Sequence, residues 1–374
     1  MFFDWLSIHQ DHASDLPVIG DRYIRVYDTG TGEDIGGNQP THHHAGSYST
    51  TINIRISGNR VTVTGNPSRI NRLDNLFGYT SIDQCVEVYN RILAKYGLPP
   101  FTKNTNDIWK GTAYSSTARM APNGAVITEL HVTSNCSVGA GNVEQFIKGI
   151  SSLPYRHMEP RLHTNGQTCD WLTKTGKGGR LIYPSVYNKA FEINLHSLPK
   201  IKRTYGDKSA EYKYLKDLIN FCHEHGIVRF EQKLKSDLLR REGLNYYGFD
   251  HPKKLRSMHQ EFLDIQQKLK VEAMTLESIT ETLIAEGVCT GTRSANATSI
   301  YAIQWMHGHT FDLKKSQVQT HRARLRKIGI DIAMKCDISK FSLVTVKETR
   351  AIEVGTVSAP HWYRKPQGHL RLAA

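Results

Sequence analysis

The chain has 374 residues, with 48 Lys and Arg against 35 Asp and Glu, a formal net charge of +13 and an isoelectric point near 9.4. That length buries a large core and divides into two or three domains, and that charge favours a polyanionic partner, nucleic acid being the commonest. No segment approaches the roughly 20 apolar residues of a spanning helix, the opening M-F-F-D-W-L-S has an acid where an export signal has positive charge, and six scattered cysteines (Cys85, Cys136, Cys169, Cys222, Cys289, Cys336) without a C-x-x-C pair read as the reduced thiols of a cytoplasmic protein.

Phe2 to Ile8 reads as a strand. The polar, glycine-bearing stretch from Asp28 to Gly46 holds His42, His43 and His44. Adjacent strand residues point to opposite faces, so these three cannot share an ion from a strand, and a loop is expected instead. Tyr48 to Ile56 and Arg60 to Thr64 alternate around Ser57-Gly58-Asn59 as a hairpin, and Gly65-Asn66-Pro67-Ser68 breaks the sheet. Ser81-Ile82-Asp83-Gln84 is a capping box opening a helix whose apolar stripe runs from Ile82 to Tyr96, with Gly97 and Pro99 ending it.

Ala125 to Thr133 is a strand with two faces: Val126, Leu130 and Val132 on one, Glu129 and His131 on the other. Acid and imidazole on one face suit either a divalent ion or a cross-sheet hydrogen bond. Asn142 is placed to cap a helix carrying Val143, Phe146, Ile147 and Ile150. Thr168 to Leu172 and Arg180 to Val186 read as strands joined by Thr175-Gly176-Lys177-Gly178-Gly179, a solvated tip whose Lys177 is a candidate for tracking a phosphate backbone.

The stretch R-L-I-Y-P-S-V-Y-N-K-A-F-E, Arg180 to Glu192, holds the sharpest chemistry. A phenol with a free pKa of about 10 needs a cation beside it to act as a nucleophile. Lys189, two residues after Tyr187, is placed to be that cation, although a half-buried strand tyrosine beside a solvated lysine fits the same residues. Tyr183 stands four residues earlier. On a helix that step would align two phenols, but Pro184 lies between them, and packing is expected for Tyr183.

Ala210 to His225 is a helix closed by Gly226, and Ile227 to Leu234 a strand with Val228, Phe230 and Leu234 on one face and Arg229, Glu231 and Lys233 on the other. Leu255, Met258, Phe262, Ile265 and Leu269 mark a helix docked on the body of the protein. The polar run around Gly287 to Asn296 is the preferred domain boundary. Beyond it, Ser316 to Lys327 is an amphipathic basic helix with His321, Arg322, Arg324, Arg326 and Lys327 around a thin apolar stripe, closed by Gly329. It suits a DNA groove or a plain solvated face. Phe341 to Val346 and Ala351 to Val357 read as a closing hairpin, with the last dozen residues loose.

Three strands thus offer polar groups on one face: Glu129 with His131, Tyr187 with Lys189, and Arg229 with Glu231. Together with D-W-L-S near the start, G-S-Y-S-T at Gly46 to Thr50, G-N-P-S, N-L-F-G at Asn75 to Gly78, Y-G-L-P-P-F at Tyr96 to Phe101, Y-N-K-A-F-E at Tyr187 to Glu192 and V-R-F-E at Val228 to Glu231, the pattern resembles the replication initiators of filamentous phages, the gene II protein group, and more widely the rolling-circle initiators of the HUH endonuclease class. The resemblance implies an α+β fold, a largely antiparallel sheet flanked by helices, with a nicking and joining domain over 1–276 and a DNA-binding or accessory domain over 277–374. It implies a protein of the bacterial host cytoplasm that cuts one strand of origin DNA through Tyr187, with Lys189 and Arg229 offsetting phosphate charge. A divalent ion, Mg or Mn, would be drawn from His131, Glu231, Glu129 and Glu192; Arg322, Arg324, Arg326, Lys327 and Lys177 would touch DNA. A host helicase and polymerase follow as partners, and homo-oligomerisation stays open. Many relatives have Ile-Asp where this chain has Leu130-His131, so one ligand passes from carboxylate to imidazole, which suits Mn²⁺ better than Mg²⁺. A plasmid relaxase with the same chemistry and a non-catalytic DNA-binding regulator are the competing readings.

Overall fold

The computed structural model describes residues 1–105, 108–110, 119–249, 251–269, 276–306, 308–334 and 354–366. Its strands are β1 (Phe2–Asp11), β2 (Ile24–Tyr27), β3 (Asp34–Asn38), β4 (His42–Ala45), β5 (Thr51–Ser57), β6 (Arg60–Gly65), β7 (Ile108–Lys110), β8 (Arg119–Ala121), β9 (Val126–Ser137), β10 (Glu159–Leu162), β11 (Thr168–Leu172), β12 (Ile182–Asn188), β13 (Ile227–Lys235) and β14 (Gly355–Thr356). Its helices are α1 (Ile82–Ala94), α2 (Val143–Ile150), α3 (Lys189–Glu192), α4 (Leu198–Tyr205), α5 (Ala210–Glu224), α6 (Ser236–Arg241), α7 (Pro252–Leu263), α8 (Leu276–Ala285), α9 (Thr292–Met306) and α10 (Ser316–Lys327). The main sheet is antiparallel, in the order β10-β11-β12-β13-β9-β1-β6-β5-β4, with β14 added to β9. Strand-by-strand alternation sends Leu6, Ile8, Leu130, Val132, Val186, Phe230 and Leu234 into one core, where they meet Tyr89 of α1, Phe146 of α2, Leu239 of α6 and Phe262 of α7. This is the expected α+β architecture.

A second apolar cluster joins Leu73 and Leu76, from the loop over 66–79, to α3–α5 and Ile227. A third, of Ile279, Leu283, Ala295, Trp305, Val318 and Leu325, draws only on residues beyond α7. Local signals act as read at α1: the Ser81 hydroxyl accepts from Gln84 N at 3.2 Å, and the Gln84 side chain accepts in return from Ser81 N. Gly226 turns at φ +57, where a Cβ would collide with the carbonyl oxygen of Gly139.

Three expectations are corrected, and a fourth falls mainly outside the described residues. His42–Ala45 is a strand, because β4 finds β5 as a partner; His42 and His44 share a face and both reach the Tyr96 hydroxyl, at 3.0 and 2.7 Å. Asn142 makes no side-chain cap; its Nδ2 instead donates to Val138 O at 2.8 Å. Of the expected closing hairpin, Phe341 to Val346 lies outside the described residues, while Gly355 and Thr356 pair with β9. The tail is also not loose where described: Tyr363 is buried in the second cluster, and its hydroxyl donates to Asp74 Oδ1 at 2.7 Å. Residues 367–374 lie outside the described residues. The five described cysteines are free and buried. Among the described residues no helix is long and apolar enough to cross a membrane.

His259 of α7 is 2 % exposed, with Nδ1 2.8 Å from Gln232 Oε1 and Nε2 3.0 Å from Ser134 Oγ. Burial, helped by the charge of the N-terminus, pulls its pKa down to about 3. The folded protein therefore keeps this ring neutral while the unfolded chain protonates it near pH 6.5, so its contribution to stability is intact above that pH and is lost as the pH falls. Between pH 6.5 and 4.5 the loss should reach about 2–3 kcal/mol, at about 1.4 kcal/mol per pH unit. Urea midpoints across this range should fall more steeply for the native protein than for His259→Gln; equal slopes would remove His259 as the cause.

Candidate active site

The centre of the sheet presents a polar face opposite the main core. Registers Tyr187↔Arg229, Ser185↔Glu231 and Lys233↔His131 align the three strands the sequence singled out, and Trp5 of β1 lies opposite His131. A continuous chain of contacts results. The Tyr187 hydroxyl donates to Glu231 Oε2 at 3.0 Å, Glu231 Oε1 lies 3.2 Å from His131 Nδ1, and His131 Nε2 lies 2.8 Å from Glu129 Oε1. The Trp5 ring stacks on His131 with centroids 5.8 Å apart.

The electrostatics of this chain are coupled. Burial opposes charge on Glu231, but His131, Lys233 and Arg229 outweigh it and hold the carboxyl well below its usual range. Burial likewise opposes a charged imidazole at His131, and its hydrogen bonds to Glu129 and Glu231 raise its pKa all the same. Tyr187 is pushed well above the ordinary phenol value, by burial first and then by the Glu231 charge. Glu231 is the carboxylate that accepts its hydrogen bond.

A buried layer of cations lies against this chain. Arg229 is 0 % exposed: Nε donates to Asn135 Oδ1 at 3.0 Å, one terminal nitrogen lies 3.3 Å from Asp4 Oδ2, and the other donates to the carbonyls of Asn75 and Leu76 at 2.7 and 2.8 Å. Lys189 is also 0 % exposed, donating to Asn75 Oδ1 at 2.8 Å and Glu192 Oε2 at 2.6 Å. Its pKa is lowered by burial and by Arg229. Three expectations change as a result. Lys189 is no solvated cation waiting on the phenol, Arg229 has its donors engaged by protein acceptors, and Glu192 faces Lys189 instead of joining Glu129, His131 and Glu231. A buried ammonium and guanidinium need these partners, since unpaired charge away from water is strongly unfavourable.

Among the described residues no set of three His, Cys, Asp or Glu side chains is arranged as a metal-holding group. Glu129 and Glu231 are nevertheless both bonded to His131, and the two carboxylates and one imidazole form a donor set chemically suited to a divalent ion. In the present arrangement the imidazole sits between the carboxylates.

Tyr183 is on the same strand and face as Tyr187. Its hydroxyl donates at 2.5 Å to Asp170 Oδ2, which also takes Arg161 at 2.6 Å and His163 at 3.1 Å, and Lys233 lies 5.5 Å from its ring centre. Lys177 is exposed at its loop tip. On α10 Arg326 and Lys327 are exposed, but Arg322 holds Asp331 through two bonds of 2.6 and 3.0 Å, Arg324 reaches Thr298 at 3.4 Å, and His321 is buried. Asp4, Asn75 and Asn135 were missed as site residues, although Asp4 opens D-W-L-S and Asn75 opens N-L-F-G; those motifs meet here, Asn75 Nδ2 donating to both Asp4 oxygens at 2.8 and 2.9 Å.

No solved structure matches this chain. The replication-associated protein of Escherichia phage If1, a gene II protein, is 53% identical over 322 residues, 86% of this chain and 99% of that protein. The family profile for the N-terminal part of this replication-associated protein matches residues 2–249, and the profile for its C-terminal part matches residues 283–369. With both profiles in order along one chain, and more than half of its residues covered by the first, this protein belongs to the phage replication-associated protein family, the gene II proteins.

Proposed function

We propose that the protein initiates rolling-circle replication by cutting one strand of origin DNA with Tyr187. The observation that carries this reading is Tyr187, a half-buried residue whose hydroxyl already donates to Glu231 at 3.0 Å. Tyr187 Oη attacks phosphorus as its proton passes to Glu231; the P–O3′ bond breaks, the leaving 3′ oxygen takes a proton from water to become a hydroxyl, Glu231 returns its proton to the hydroxide so formed, and the 5′ phosphate stays on the tyrosine. The phosphodiester is exchanged for a phosphotyrosine ester, so the strand can later be rejoined by the reverse step, and the free 3′ hydroxyl is a primer end for a host polymerase. Glu129, His131 and Glu231 are the residues that would hold a divalent ion, which when bound supplies positive charge to the scissile phosphate. Arg229 and Lys189 act from beneath, keeping the site positive and the 66–79 loop in place.

The family assignment and the +13 charge support a DNA substrate. The test is to incubate the protein with supercoiled origin DNA and Mg²⁺ or Mn²⁺, digest it, and locate the oligonucleotide by peptide mass analysis. It should sit on the peptide containing Tyr187. An adduct on another residue removes Tyr187 as nucleophile, and binding without any adduct or nick under either ion favours the regulator reading.

A further inference from the structure

On the far side of the 66–79 loop from Arg229 lies a cavity of about 420 Å³, within the ~300–1,000 Å³ range of small-ligand pockets. The same loop serves both sides: the carbonyls of Asn75 and Leu76 hold Arg229, while residues 70–74 line the cavity. One wall is aromatic and apolar, with Tyr48, Ile70, Ile92 and Tyr214; its rim carries Arg91, Lys95, Arg364 and Lys365. Asp74 is the only acid among the lining residues, and its carboxylate is occupied by the hydroxyls of Tyr214 and Tyr363 at 3.0 and 2.7 Å and by Leu76 N at 2.8 Å. Arg91 is paired with Glu87, and the Arg364 guanidinium lies over the Tyr214 ring at 4.6 Å. Lys95 and Lys365 are exposed and have no carboxylate partner among the described residues.

Tyr48 adds a second observation. It belongs to the G-S-Y-S-T segment, which the nicking chemistry leaves unused, and its backbone is left-handed at φ 59, ψ 36. A bulky side chain rarely adopts that conformation, which costs on the order of 1–2 kcal/mol. Two contacts hold the turn in place: Ser47 N donates to Asn71 Oδ1 at 2.9 Å, and Gly46 lies so close to Ile70 that a Cβ would collide with it. The result is an aromatic ring at a cationic rim, the combination that binds single-stranded DNA by stacking and phosphate contact.

We propose that this cavity holds one nucleotide of single-stranded DNA beside the nick, with its base on the Tyr48 wall and flanking phosphates on Lys95 and Lys365. The placement beside the nick rests on Tyr187 being the nucleophile; the binding does not. The C-terminal tail then completes a DNA site on the N-terminal body, since Arg364 and Lys365 reach the rim only because Tyr363 is anchored on Asp74.

The test is fluorescence anisotropy of the full chain with a fluorescein-labelled oligo-dT of about 16 nucleotides. Lys95→Glu/Lys365→Glu should weaken binding by about 10-fold or more and lower the log–log salt slope by about 1.4, two phosphates' worth for a single strand. Tyr48→Ala should weaken it by about 10-fold with the slope unchanged, and Tyr48→Phe should bind as the native protein does. Lys253→Glu/Arg256→Glu is the charge-matched control, both residues being exposed on α7, which contributes nothing to the lining of the cavity. If control and cavity pairs weaken binding equally, or if Tyr48→Ala binds normally, the cavity is not a nucleotide site. Tyr187→Phe should bind the oligonucleotide normally. A native protein that forms no adduct while the cavity variants still lose binding would overturn the nicking reading and leave this one standing.

Discussion

Tyr187→Phe protein should leave supercoiled origin DNA uncut and form no covalent complex, a loss of at least about 10⁴-fold, the scale on which deleting a covalent nucleophile acts. The substitution removes one oxygen and keeps the ring. The folded state forfeits only the hydrogen bond to Glu231, worth about 1–3 kcal/mol to a charged acceptor, so the variant should fold and still bind DNA. Tyr183→Phe is the contrasting experiment. Its hydroxyl is tied at 2.5 Å to Asp170, which already serves Arg161 and His163, and burial with the Asp170 charge pushes its pKa up to about 12. Nicking by Tyr183→Phe should stay within about 10-fold of native. Glu231→Gln should fall between the two, by about 10²–10⁴-fold, as expected on losing a proton acceptor. Gel assays of open-circle product with each protein decide the matter, and normal nicking by Tyr187→Phe would end the assignment.

The residues of this site were legible wherever two-residue alternation was enough. Glu129 with His131 and Arg229 with Glu231 each fall on one strand face by spacing alone, and the strands prove adjacent in the order β12-β13-β9. Burial was not legible. Lys189 reads as solvated because its acceptor Asn75 is 114 residues away, and no local pattern announces a contact of that span. The same holds for His42 to His44, whose strand exists only because β5 lies alongside, and for Tyr363, whose partners Arg72 and Asp74 belong to the other end of the chain. Short motifs carried more than their local shape: D-W-L-S and N-L-F-G meet at Asp4 and Asn75, so what reads as two unrelated segments is one cradle for two cations.

That cradle makes Arg229 the position where substitution should cost the fold most. Burial alone would discharge the guanidinium, but Tyr187, Asp4, Glu192 and Glu231 around it reverse the sign and raise its pKa. Arg229→Met keeps an unbranched stem as far as the Nε position and loses every donor, leaving Asp4 and the carbonyls of Asn75 and Leu76 without this partner. The cost should be about 3–5 kcal/mol, as for breaking a buried ion pair from one side, seen as a fall of about 6–10 °C in Tm at about 2 °C per kcal/mol. Arg229→Lys should recover only part of this, because one ammonium cannot reach Asn135, Asp4 and two carbonyls from a single point. Asp4→Leu on the Arg229→Met background should restore about 0.5–3 kcal/mol, since the orphaned carboxylate is then gone. If Arg229→Met instead melts as the native protein does but loses nicking, the guanidinium acts on the phosphate after all, and the division drawn here between supporting cations beneath and the Tyr187–Glu231 pair above would have to be reversed.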